Sequence, residues 1–185
     1  MTAKAYTGLG DKGTTKLITG KEVAKDLPRI SACGDIDELN SFVGLARAKN
    51  KDKIIGEVLD FVQNGLFQLC SDIATPIEKK VAVNIIRISE KDVKQIEKFT
   101  DDVNDGLPEI KNFVVFENSE LAALLNVCRT ISRRAERKIV TLARGEQTNH
   151  NVLRFINRLS SLFWVLARYV TKVESKKEML WKPNN

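Results

Sequence analysis

The chain has 185 residues and a formal net charge of +6, from 30 Lys and Arg against 24 Asp and Glu. Its 43% hydrophobic and 29% charged residues suit one folded domain with a substantial core and exclude a disordered chain. No apolar run has the ~20 residues a membrane-spanning helix needs, and the start MTAKAYTGLGDKG lacks an apolar signal core. The expectation is a cytoplasmic protein with no membrane partner.

Residues 1–29 form the least helical stretch, with glycines at 8, 10, 13 and 20 and Pro28 interrupting any long periodicity. Within it, Thr7-Gly-Leu-Gly-Asp-Lys-Gly-Thr-Thr15 combines close backbone approach with hydroxyl donors. It reads either as a phosphate-binding loop or as a flexible N-terminal arm. It is not a Walker A loop, because no Gly-Lys-Ser/Thr closes it before a helix.

From Ile30 to about Lys49 the pattern turns helical, with Ile36, Leu39, Phe42, Val43 and Ala46 on one face. Asp35, Asp37 and Glu38 near its start suit the helix dipole, and Asp37 could also pair with an arginine elsewhere. A second helix runs from about Asp52 to Ala74, with Ile55, Val58, Leu59, Val62, Leu66, Leu69 and Ile73 inward. Thr75-Pro76 ends it. Residues 77–88 read as a connection with room for one short strand. Ser89 and Asp92 resemble a capping box and open a third helix with Val93, Ile96, Phe99 and Val103 inward. Residues 111–116 read as a short extended linker.

Ser119 is the expected N-cap of a fourth helix that ends near Gly145. Leu121, Leu124, Cys128, Ile131, Ala135, Ile139 and Leu142 mark its buried stripe. Beside them Asn126, Arg129, Arg133 and Glu136 form a polar stripe, because residues three and four apart share a helix face. Two guanidinium groups beside an apolar face suit a polyphosphate; a solvated helix face is the alternative. A fifth helix, about Asn149 to Val173, carries Leu153, Ile156, Leu159, Phe163, Leu166 and Val170 inward. Arg154, Asn157, Ser161 and Arg168 share another of its faces. The fold class is all-α: a five-helix bundle over 30–175 with a loop-like arm over 1–29, in one domain.

Cys33, Cys70 and Cys128 lack metal-ligand spacing, and the one histidine, His150, lies in polar EQTNHN, so no protein-held metal centre is expected. Positive charge is spread along the chain apart from RRAERK at 133–138, and the few aromatics do not alternate with it. Nucleic acid is therefore not an expected partner.

Several segments in order resemble the PduO-type ATP:cob(I)alamin adenosyltransferases: YTGLGDKGTT near the start, KDLPR at 25–29 and GDIDELNSFVG at 34–44. Phe113, CRTISRRAERKIVTL at 128–142 and FINRLSSLFWVLARY at 155–169 continue the likeness. The resemblance implies a trimeric five-helix bundle that transfers the 5′-deoxyadenosyl group of ATP to cob(I)alamin, with Mg2+ assisting and both substrates near subunit interfaces. Thr7, Gly8, Leu9, Gly10, Thr15, Lys16 and Lys25 would line the ATP site from the arm. Arg133, Arg134, Ala135, Glu136, Arg137 and Asn157 would complete it. Arg129 would meet Asp37 across the interface, Phe113 would sit at the corrin face, and Arg129, Arg133 and Phe113 would carry catalysis. A flavoprotein reductase is a further partner that the resemblance allows.

Four positions depart from the family pattern: Gly8 for a basic residue, Phe116-Glu117-Asn118 for Pro-Gly-Gly, Asn126 for histidine and Ser161 for aspartate. They motivate an alternative reading, a diverged relative that binds ATP or a corrinoid without adenosyl transfer.

Overall fold

A computed structural model describes residues 6–77, 84–110, 112–116 and 119–183. Five helices dominate these residues: α1 Pro28–Lys49, α2 Lys53–Ala74, α3 Glu90–Asn104, α4 Glu120–Gly145 and α5 His150–Val173. Four short strands accompany them: β1 Thr14–Lys16, β2 Glu22–Ala24, β3 Val114–Val115 and β4 Met179–Leu180.

The helix boundaries follow local chemistry. Asp52 caps α2 by accepting from the Ile55 amide at 3.0 Å, and Ser119 caps α4 by accepting from Ala122 at 3.1 Å. Ser89 and Asp92 form the expected reciprocal capping box at the start of α3, and Asn149 caps α5. The first helix begins at Pro28, two residues earlier than the periodicity suggests. Proline fits an opening turn, where its missing N–H would have no partner in any case.

In the bundle, α4 packs between α1 and α5, α2 lies against α1, and α3 lies against α5. Every inward residue named for α2 is buried. On α4, Leu125 takes the buried position while Leu124 is half-buried at the core margin. Phe42, Phe99 and Leu153 also pack on the margin, where Phe99 meets Phe61 edge to face at 5.4 Å. At the approach of α2 to α5, Phe155 fills the space over Gly65: a Cβ on Gly65 would lie 2.6 Å from the ring.

The N-terminal arm is not wholly loop-like. β1 and β2 pair antiparallel, Thr15 opposite Val23, and Gly20 turns the hairpin at φ 80°. The stretch expected as an extended linker gains a partner: β3 pairs antiparallel with β4 of the C-terminal tail, Val114 opposite Leu180. Of the connection 77–88, residues 84–88 are irregular, and the rest of the expected strand position, 78–83, lies outside the described residues.

Candidate functional site

The structure separates the sequence-selected residues into three groups. The first is the arm. Gly8 and Gly13 have φ of 70° and 78°, the left-handed region that side chains rarely enter, so the glycine at 8 suits its turn better than a basic residue would. Gly10 has a different role. A Cβ there would lie 2.7 Å from Lys25 Nζ, so the missing side chain lets the Lys25 ammonium rest on the glycine backbone. The Lys25 amide also donates to the Gly13 carbonyl at 2.9 Å, and the Leu9 amide to Thr7 Oγ1 at 3.4 Å. Thr15 and Lys16 follow on β1, and Leu9 is exposed. The arm thus joins Gly10 to Lys25 and holds its donors on a hairpin.

The second group lies on α4 and α5. Asn157 Nδ2 donates to Glu136 Oε1 at 2.8 Å, which fixes a carboxylate and an amide side by side. Arg133 is exposed and has no ion-pair partner among the described residues; its backbone carbonyl accepts from Arg137 Nη1 at 3.1 Å. Arg129 is half-buried, and its Nε donates to Asn126 Oδ1 at 2.7 Å. Burial and then the like charge of Arg133 push the Arg129 guanidinium below its ordinary range. Arginine is so strongly basic that the group stays cationic near neutrality. The asparagine at 126 therefore orients a guanidinium that no carboxylate of the described chain neutralises.

Arg134 and Ala135 sit apart from that stripe. Arg134 turns to α1, where it pairs with Glu38 and approaches Asp35 Oδ2 at 3.4 Å, and these acids hold its charge firmly on. Ala135 is buried in the core. The α5 face named from sequence also divides: Arg154 pairs with Glu90 of α3, whereas Arg168 is buried and bound to the tail.

The remaining residues are the surroundings of Arg129 and, separately, Phe113. Arg129, Ser160, Ser161, Trp164 and Thr100 line an open cleft of about 400 Å³ among α3, α4 and α5. Phe113 is 80% exposed, and its ring meets Trp181 edge to face at 6.4 Å. Glu117 and Asn118 lie outside the described residues. Asp37 belongs elsewhere. It is exposed and lines a separate groove between α1 and α2 with Cys33, Phe67 and Cys70. Arg129 and Asp37 therefore do not meet within one chain.

A larger cleft of about 840 Å³ opens at the far end of α1 and α4. Four of its charges are paired, Lys49 with Glu120 at 2.9 Å and Lys176 with Glu174 at 2.7 Å, and none of the candidate site residues lines it. Two buried charges escaped sequence reasoning. Arg29, in the KDLPR segment, donates to the Ile73 carbonyl and, at 2.6 Å, to Glu146. Asp72 accepts from Arg87, Ile88 and Asn149. The available signal was a carboxylate at core spacing, three residues after Leu69.

Bundle and site define a helical protein with Arg129 and Arg133 on one rigid helix lacking carboxylate partners among the described residues, a glycine-hinged arm, and an aromatic set apart from the core. The family model described as "Cobalamin adenosyltransferase" matches residues 5–170. The corrinoid adenosyltransferase of Bacillus subtilis (strain 168) is 40% identical over 172 residues, 90% of this chain and 86% of that protein. The corrinoid adenosyltransferase of Mycobacterium leprae (strain TN) is 36% identical over 186 residues, 97% and 96% of the two chains. A phenylalanine-to-histidine variant of a PduO-type ATP:corrinoid adenosyltransferase from Lactobacillus reuteri, complexed with cobalamin and ATP, superposes with a TM-score of 0.91. It is 38% identical and covers 97% of each chain. The chain belongs to the cobalamin adenosyltransferase family.

Proposed function

We propose that the protein transfers the 5′-deoxyadenosyl group of ATP to the cobalt of a reduced corrinoid, giving adenosylcobalamin and triphosphate. The observation that carries this reading is family membership over residues 5–170, joined to Arg129 and Arg133 on α4, which have no carboxylate partner among the described residues. In the reaction the electron pair of Co(I) forms the Co–C5′ bond. The C5′–O bond breaks, and its pair leaves with the triphosphate. No proton moves, so no general base is needed. The demand is for fixed positive charge where the leaving group gains negative charge.

In this reading Arg133 and Arg137 face the triphosphate, with Arg134 beside them braced by Glu38 and Asp35. Thr7, Gly8, Leu9, Gly10, Thr15, Lys16 and Lys25 of the arm close over the nucleotide, and Asn157 and Glu136 hold its polar edge. Ala135 packs beneath the cluster. Mg2+ keeps most of its ligands as phosphate oxygens and water and needs one or two protein carboxylates; Glu136, oriented by Asn157, is suited to supply one. Phe113 lies at the corrin face, where an apolar ring excludes water and disfavours a ligand on the lower axial side of the cobalt.

Assembly is part of this reading. Arg129 and Asp37 lie in two different grooves of one protomer, so they can pair only between protomers, and a cyclic homotrimer would repeat that pair at each of its interfaces. Arg129→Asp and Asp37→Arg are each expected to yield mainly monomer in sedimentation, and the double exchange is expected to restore the oligomer. An unchanged oligomer in both single variants would remove this pair from the interface.

The activity itself is tested with ATP, Mg2+ and chemically reduced cobalamin, followed by the absorbance of adenosylcobalamin. Turnover is the expected result. Calorimetric ATP binding without adenosyl transfer, under conditions where a control enzyme works, would overturn it in favour of a binding protein.

A further inference from the structure

The tail after α5 contacts the segment that carries Phe113 at several points, and one buried side chain organises them. The helix ends in a Schellman turn: Lys176 N–H donates to the Thr171 carbonyl and Ser175 N–H to Lys172, both at 2.9 Å, with Ser175 at φ 56°. The turn sends the chain back along α5, where Arg168 receives it. Arg168 is 3% exposed. Its Nε donates to Glu178 Oε1 at 2.7 Å, and its Nη2 to Glu178 Oε2 at 3.4 Å and to the Pro108 carbonyl at 2.6 Å. One guanidinium thus grips the tail and the connection leading from α3 to β3. Its carbon also lies 5.0 Å from the ring centre of Trp164, the aromatic wall of the cleft beside Arg129.

Beyond that grip, β4 pairs with β3, and Trp181 N–H donates to the Phe113 carbonyl at 2.8 Å. The Phe113 ring itself is mostly exposed and has little packing of its own to hold it. Its position depends on the ladder and on the Trp181 edge contact.

We infer that Arg168 and Glu178 are positioning residues for corrinoid turnover, acting by fixing the C-terminal strand against Phe113 and the Trp164 wall. The tail is then part of the corrinoid side of the site rather than a loose end. The inference rests on the assignment of Phe113 to the corrin face. A planar, five-donor guanidinium suits a junction of a carboxylate, a carbonyl and a ring face, and a lysine could not serve all three. A buried cation also demands its partner. Loss of Glu178 leaves Arg168 uncompensated and frees the tail.

The test is a double-mutant cycle of Glu178→Ala and Phe113→Ala, with KM and kcat measured separately for ATP and for cob(I)alamin. Glu178 is at the tail, outside the helical core, so the bundle should remain folded; circular dichroism checks this. Glu178→Ala is expected to lower kcat/KM for the corrinoid by about 10-fold to 100-fold, the scale of a side chain displaced by ~1 Å, with KM for ATP unchanged. In the Phe113→Ala background, the same change should have little further effect. Truncation after Ser175 should reproduce the Glu178→Ala result. Full corrinoid kcat/KM in Glu178→Ala, with Phe113→Ala impaired, would overturn the positioning role and leave Phe113 in place. Full activity in Phe113→Ala would instead overturn the assignment of Phe113, and with it this inference. Equal losses toward ATP and corrinoid in a folded Glu178→Ala protein would also overturn it, because they would mark general loosening.

Discussion

Replacing Arg133 by alanine is expected to lower adenosyl transfer by about 10²–10³-fold, or about 2.7–4 kcal/mol, the loss typical of one preorganised donor at a developing negative charge. Stability should not fall with it. The Arg133 side chain is exposed, and no carboxylate of the described chain pairs with it. Alanine is a better helix former at this interior position of α4, and the backbone carbonyl that accepts from Arg137 remains. An unchanged melting temperature beside a collapsed kcat would separate chemistry from folding. Arg133→Lys should fall between the two, because an ammonium keeps the charge but loses the two-pronged geometry that fits a phosphate. A folded Arg133→Ala protein with full activity would remove this residue from the mechanism. The contrast with Arg134 is instructive. Its guanidinium is already held by Glu38 and Asp35 of α1, so its removal should disturb packing as well as ligand binding.

The helices were legible because each carries its own punctuation. Ser89 with Asp92, Ser119, Asn149 and Thr75-Pro76 fix boundaries through side-chain and backbone chemistry within a few residues. Periodicity then set the core faces, slipping by one residue at Leu124 and Leu153, where Leu125 and Val152 are the deeper neighbours, and leaving Phe42 and Phe99 on the margin. The strands were not legible. β1 and β2 have three residues each, too few for alternation to register, and β3 exists only because β4 lies beside it, 66 positions away for Val114 and Leu180. On the site side, the α4 stripe could be read from spacing, but its meaning could not. A solvated face and an anion site share the same pattern. The structure adds that, among the described residues, Arg129 and Arg133 lack carboxylate partners, whereas Arg134 and Arg154 have them. Arg168 shows the converse error. It shares a helix face with Asn157 by spacing, yet it is buried under the tail, because the chain that covers it comes from beyond the end of its own helix.

A large stability loss is expected at Asp72, where alanine should cost about 2–4 kcal/mol and lower the melting temperature by roughly 5–15 °C. This carboxylate is 3% exposed and joins three segments. Its Oδ1 accepts from Arg87 Nη1 at 2.7 Å; its Oδ2 accepts from the Ile88 amide at 2.9 Å and from Asn149 Nδ2 at 2.8 Å. The three donors would not suffer equally. Arg87 keeps the carbonyls of Asp72 and Thr75, and Asn149 keeps that of Ile88. The Ile88 amide has no such substitute in its buried setting, so it should account for much of the cost. Asp72→Asn retains one acceptor oxygen and should lose less. Urea unfolding of the three proteins gives the order; a loss below about 1 kcal/mol for Asp72→Ala would show that the segments hold together without the carboxylate. The same turn of α2 receives Arg29, which donates to the Ile73 carbonyl and bridges to Glu146 beyond α4. Arg29 lies in the first turn of α1, just after the β1–β2 hairpin, so the buried charges brace the base from which the hairpin leaves the bundle. Substitutions at Arg29 and Asp72 should therefore couple rather than add, since both act through the last turn of α2.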